Sequence, residues 1–157
     1  MTSNSEQIAH LIEQRKKIAL GGGQARVEAQ HAKNKMTARE RILKLLDADS
    51  FHEIEAYITH RHSDFGMGDQ RYAGDSVVVG FGKIDGRRVC VSAQDFTVLG
   101  GSFSEVQGQK VAKIMDLAME AGVPMINLND SVGARIQEGV YSLAAYSELF
   151  WRNTQAS

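Results

Sequence analysis

The chain has 157 residues, of which 43% are hydrophobic and 24% charged, with a formal net charge of −1. That is one domain's worth of chain or less, apolar enough for a real core, and its charge gives no general reason to bind nucleic acid. No apolar run approaches the roughly 20 residues of a membrane span, and Met1-Thr-Ser-Asn-Ser-Glu6 has neither the basic start nor the hydrophobic stretch of an export or transit signal, so a cytoplasmic protein is expected (the mitochondrial matrix if eukaryotic). The lone Cys90 has no disulfide or metal-spaced partner and reads as a small buried residue.

From Ser5 to Leu20, Ile8, Leu11, Ile12 and Ile18 recur at helical spacing, and Gly21-Gly22-Gly23 ends that amphipathic helix. The triplet lacks the Gly-Lys-Ser/Thr ending of a phosphate-binding loop and reads as a stop and hinge. A second helical piece follows over 24–32. Thr37-Ala-Arg-Glu40 then fits a capping box opening a helix with Ile42, Leu43, Leu45 and Leu46. Lys16, Lys17, Arg26, Lys33, Lys35, Arg39, Arg41 and Lys44 make this third of the chain basic, either as a solvated helix face or as a patch for an anion such as the phosphates of a nucleotide or coenzyme A.

After Ser50 the period changes, and apolar residues over 51–58 predict a strand. The segment 59–74 holds His60 and His62 but no third ligand spaced to join them, and reads as a solvated loop with no metal site. Ser76 to Ile84 and Arg87 to Ala93 flank Asp85-Gly86, the signature of a hairpin with a type I′ turn. Gly80 and Gly82 inside the first strand suggest a bulge or a close neighbour. Ser104 is a good N-cap for a helix reaching Ala121 with Val111, Ile114, Met115 and Ala118 on one face. Just before it, Gly100-Gly101 serves either a tight turn or the approach of an anionic or carbonyl group to the helix amides.

The most informative stretch is 125–139. Met125 to Leu128 reads as a buried strand, and Ser131, Gly133 and Gly139 open the chain at its carboxyl end, where α/β folds place ligands. Small residues there let backbone N–H groups point outward, which suits a developing oxyanion; the local pattern alone favours an ordinary strand-to-helix turn with no chemistry. A last helix, 141–152, places Leu143, Ala144, Leu149 and Phe150 on its apolar side. Strand, helix, strand, loop, helix makes a right-handed crossover unit. Asn129-Asp-Ser-Val-Gly133 nearly matches a nucleophile elbow, but Asn129 stands at the first glycine place and no histidine follows, which argues against a Ser–His–Asp hydrolase.

Four separated motifs resemble one family: His31 to Arg41, Ser92 to Gly101, Gly108-Gln-Lys110 and Asn129 to Gly139. Together they are similar to the amino-terminal part of biotin-dependent acyl-CoA carboxyltransferases, nearest to the β subunits of propionyl-CoA carboxylases. Val132 stands where that family usually has glycine. The resemblance implies an α/β, crotonase-like spiral of β-β-α turns. It implies a helical segment over 1–50 and a truncated first carboxyltransferase domain over 51–157. It further implies carboxylation of a short acyl-CoA, propionyl-CoA giving methylmalonyl-CoA, with carboxybiotin delivered on a separate carrier protein. A biotin carboxylase or carrier subunit and a homo-oligomer, hexameric in the full-length family, are the implied partners. Val132, Gly133 and Ala134 would form a backbone oxyanion turn, with the amide of Gly133 foremost. Gly100, Gly101, Ser131 and Arg135 would contact the acyl-CoA. The alternatives are the carboxyltransferase subunit of a sodium-pumping methylmalonyl-CoA decarboxylase, or a non-catalytic CoA-binding or subunit-association fragment. The truncated chain alone is expected to be inactive.

Overall fold

The computed structural model describes residues 3–157. Among these residues five α-helices and four strands follow in order: α1 (Asn4–Ala19), α2 (Gln24–His31), α3 (Ala38–Leu45), β1 (His52–Ile54), β2 (Val77–Ile84), β3 (Arg87–Gln94), α4 (Glu105–Ala121), β4 (Met125–Leu128) and α5 (Val140–Ala156). The strands form one sheet in the order β1-β2-β3-β4, antiparallel except for the β3–β4 pair. The parallel pair is what the intervening α4 makes possible, since a two-residue turn cannot reverse the chain twice.

Local chemistry sets most boundaries. Ser3 and Thr37 each close a full capping box, with Glu6 and Glu40 respectively. Asp85 (φ 49°) and Gly86 (φ 77°) both take the left-handed region, as a type I′ turn requires, and the Asp47 carboxylate accepts from both of their amides. Gly80 is a close approach and not a bulge: the β2–β3 register is unbroken, and a Cβ there would collide with the carbonyl oxygen of His52 on β1.

The sheet is covered on both faces. Val78, Val89, Val91 and Ala93 pack against Ala38, Ile42 and Leu46 of the α3 region. Val77, Val79 and Cys90 pack against Val111, Ile114, Met115 and Ala118 of α4. The alternation of the strands sorts the two sets. Thus α3, from the basic third of the chain, shares a core with the sheet.

Three expectations change. The strand predicted over 51–58 stops at Ile54, because Glu55 takes φ 57° and turns the chain away. His60 is buried and not solvated: its two ring nitrogens lie 3.0 and 2.8 Å from the carbonyl oxygens of His62 and Gln70, pinning the 59–74 segment from within. β4 is a half-buried edge strand, and not a fully buried one. Apart from these three, the buried residues of α5 are Ser142 and Ala145, and Leu143 and Phe150 on its apolar side are exposed.

Candidate active site

The turn 129–135 leaves β4 beside the carboxyl end of β3, and α3 reaches over to hold both strand ends. The Arg41 guanidinium donates to the carbonyl oxygens of Gln94 and Leu128, the last residues of the two strands. Ser92 Oγ and Asn127 Oδ1 add a 2.6 Å bond across the same pair. Asp130, the second residue of the turn, is held from three directions: Gln94 Oε1 accepts its amide at 2.9 Å, while Lys35 Nζ (2.7 Å) and Gln30 Nε2 (3.3 Å) donate to its carboxylate. Two of the basic residues of the amino-terminal third therefore anchor the turn.

The diglycine has a structural use. Val132 N–H donates to Gly100 O at 3.1 Å, Phe103 N–H to Gly133 O at 2.8 Å and Arg135 N–H to Phe103 O at 2.8 Å, so two loops are stitched together. A Cβ on Gly101 would collide with the Asp130 carbonyl oxygen, and both glycines have positive φ. Two of the α4 amides they were expected to expose are already in use. Gln107 N–H donates to Ser104 Oγ at 2.9 Å, and Glu105 N–H to Glu138 Oε2 at 2.8 Å. The protein's own carboxylate thus stands where an anion was expected.

Among the expected oxyanion residues, Val132 N–H is occupied by Gly100. Gly133 N–H donates only to the hydroxyl of its neighbour Ser131, at 3.0 Å, a rotatable group on an exposed residue. Gly133 has φ 106° and open space where a side chain would be. No hydrogen bond from the Ala134 amide is present among the described residues. Two donors of the three are therefore free or readily freed.

Arg135 has a different place from the expected acyl-CoA contact. It is 1% exposed, and its donors go to both Asp75 carboxylate oxygens, Glu138 Oε1, Ser102 Oγ, Ser102 O and Ser76 Oγ. Nothing is left for a ligand. Asp75, Glu138, Asp130 and Gln30 were missed because each meets its partner across the fold; Asp75 and Arg135 lie 60 residues apart. Lys110 is likewise buried, donating at 2.6 Å to the carbonyl oxygens of Gly74 and Val77, and burial pushes its ammonium down to about 8.

Beside the Gly100 turn lies a groove of about 340 Å³ lined by Arg26, Gln30, Lys33, Phe96 and Thr97. Arg26 leans on Tyr72 and donates to Thr97 O at 3.2 Å, while Lys33 is exposed with no ion-pair partner among the described residues. Lys35 Nζ sits 4.9 Å from the centre of the Phe96 ring. No group of three or more metal-ligating side chains is gathered among the described residues, and no helix there is long and apolar enough to cross a membrane.

The chain is 59% identical over 153 residues to the propionyl-CoA carboxylase beta chain of Cereibacter sphaeroides, covering 97% of this chain and 30% of that one. It is 52% identical over 160 residues to the mitochondrial propionyl-CoA carboxylase beta chain of Homo sapiens, covering 100% of this chain and 30% of that one. It therefore spans less than a third of the length of these relatives. Among solved structures it matches the transcarboxylase 12S hexamer with methylmalonyl-coenzyme A bound, with a TM-score of 0.97 and 45% identity, over 100% of this chain and 31% of that one. The crotonase-like α/β fold implied by the four motifs is the fold found. The family model described as "Carboxyl transferase domain" matches residues 29–157, and the chain belongs to that family.

Proposed function

We propose that this chain supplies the first oxyanion turn and part of the acyl-CoA groove of a biotin-dependent acyl-CoA carboxyltransferase, acting on propionyl-CoA to give methylmalonyl-CoA. The observation that carries the reading is the Gly133 amide at the carboxyl ends of β3 and β4, held only by the rotatable Ser131 hydroxyl, with open space on the side where a side chain would stand and a basic groove nearby. Removing the α-proton of an acyl thioester moves negative charge onto the thioester oxygen. A backbone N–H fixed by the fold stabilises that charge without reorganisation, and no side-chain base is needed in the turn. Ser131 must give up its bond to Gly133 for the thioester oxygen to take its place. Lys33 and Arg26 suit the phosphates of coenzyme A, and Phe96 offers a flat apolar surface. Carboxybiotin, brought on a separate carrier subunit, would supply the CO2, and the ureido anion left by that release would take the α-proton. A biotin carboxylase partner and a homo-oligomer belong to the same reading.

The test is binding by this chain, followed calorimetrically, of propionyl-CoA and of its thioether analogue, which lacks the carbonyl oxygen. Propionyl-CoA should bind, Lys33→Glu should weaken both ligands, and the thioether should bind the parent more weakly. Failure of Lys33→Glu to weaken either ligand would remove the groove from the reading. Equal binding of thioester and thioether would remove the turn.

A further inference from the structure

At the end of the sheet away from the turn, the face covered by α4 runs on past the helix's last residue and stays open. Val79 and Cys90 lie under α4, and strand alternation puts Phe81, Lys83 and Arg88 on that same face. The register orders them in two rows. His52, Phe81 and Cys90 stand side by side across β1, β2 and β3, and Lys83 stands directly opposite Arg88 one step beyond. Leu117 and Val123 form the wall, and together these residues enclose about 400 Å³, within the usual size of a small-ligand pocket. The first row is flat, with Phe81 as its apolar surface: Phe81 is 45% exposed and its ring stacks on the His52 imidazole at 5.3 Å with an interplanar angle of 4°. The second row is purely cationic. Like charges directly opposed on a hairpin are unfavourable, and neither Lys83 nor Arg88 has a carboxylate in an ion pair among the described residues.

We infer that this shelf is a binding site for a small amphipathic anion, a carboxylate on an apolar body of a few carbons, with the body on Phe81 and Leu117 and the head between Lys83 and Arg88. The charge pattern selects that occupant. An apolar ligand would leave the two cations facing each other, and a bare inorganic anion would leave the apolar row in water. The site stands apart from the carboxyltransferase reading, because Arg88 lies at the opposite end of β3 from Gln94, where the turn is held.

The test uses the whole 157-residue chain and octanoate as probe, with octanol and inorganic phosphate as controls, read by amide chemical shifts. Octanoate should move the resonances of Phe81, Lys83, Arg88 and Leu117, and bind more tightly than octanol or phosphate. Lys83→Glu pairs Arg88 across the hairpin, so it should leave thermal stability unchanged or raised while weakening octanoate about fivefold or more. Shifts that appear with protein concentration alone would mean that a second copy of the chain covers the shelf, and the inference would fail. It fails equally if octanol matches octanoate, if Lys83→Glu binds octanoate as the parent does, or if the shifts map elsewhere.

Discussion

The guanidinium of Arg135 and the carboxylate of Asp75 meet as a two-pronged buried pair, joining the strap after the candidate turn to the entry of β2. Glu138 takes a further donor of the same guanidinium at 3.1 Å, and its other oxygen caps α4. One residue thus ties together β2, the start of α4 and the strap that leads into α5. Arg135→Met would leave two carboxylates buried without their cation, and we expect a loss of about 3–5 kcal/mol in urea unfolding. Arg135→Lys should recover only part of it, because an ammonium cannot present the fork. A variant as stable as the parent would show the cluster to be incidental.

Lys110 predicts a pH dependence of stability. Its folded-state value of about 8 lies below the ordinary 10.5, so between those values the unfolded chain binds a proton that the folded chain has released. The contribution of Lys110 to stability therefore rises with pH across that window, and below it the cost of burying the ammonium is felt in full. The neutral amine still donates to Gly74 and Val77, so the contacts survive deprotonation. Thermal melts of the parent and of Lys110→Met should show the difference moving in the parent's favour from about pH 7 to about pH 10. A difference that is flat or shrinks over that range would contradict the assignment.

Two glycines separate backbone strain from crowding. Gly101 and Gly122 have nearly the same φ, 66° and 64°, but only Gly101 would push a Cβ into a neighbouring carbonyl oxygen. Gly122→Ala should cost about 1 kcal/mol, the strain of a left-handed residue at a helix end. Gly101→Ala should cost more than twice that and disturb amide resonances at 130–133, since the loops it joins must part. Equal costs would mean that the two loops are not pressed together as described.

The apolar side of α5 predicts association. Val140, Tyr141, Leu143, Phe150 and Trp151 are all more than half exposed, an unusual density for one helix. The chain should self-associate in sedimentation at micromolar concentration, and Leu143→Glu with Trp151→Glu should shift it toward monomer without altering its melt. A parent that stays monomeric at high concentration would refute this.

What the sequence made legible was whatever local chemistry decides. Thr37 and Glu40 named a capping box, and Asp85-Gly86 named a turn whose φ values only such residues adopt readily. Misreadings fell where distant partners decide. Ala56, Tyr57 and Ile58 look like strand, but Glu55 turns them toward α1, where Arg15 Nε donates to the Tyr57 hydroxyl at 3.1 Å. The helical period on α5 named Leu143, Ala144, Leu149 and Phe150 as an apolar side but did not name the side that packs on α4. The observed face uses Ala145 because Gly108 of α4 leaves room for it: a Cβ at 108 would lie 2.7 Å from that of Ala145. Gly108 and Lys110, part of the motifs that carry the resemblance, thus have packing explanations, and Arg135 beside the candidate turn is buried architecture. Proximity in sequence to a functional turn does not reveal which way a side chain faces.

The candidate turn itself gives the sharpest prediction, because two readings of it order three variants differently. If Gly133 offers its amide to a thioester oxygen, Ser131 competes for that amide and is no participant in the chemistry. Ser131→Ala should then bind propionyl-CoA as well as the parent or better, since the occupied donor is released. Val132→Gly should be tolerated apart from a small entropic cost; its side chain is 68% exposed and rests over Gly100. Gly133→Pro deletes the N–H and demands φ near −65°, far from the observed 106°, so it should lose thioester selectivity and some stability together. In a full-length carboxyltransferase relative, loss of the corresponding donor should lower kcat by about two to three orders of magnitude. The competing reading makes Ser131 a nucleophile in a degenerate elbow, and it predicts that Ser131→Ala is the damaging change. Measuring propionyl-CoA affinity and melting temperature for the three variants beside the parent decides between them. Abolished binding in a folded Ser131→Ala, with thioester selectivity retained in a folded Gly133→Pro, would take the oxyanion role away from Gly133.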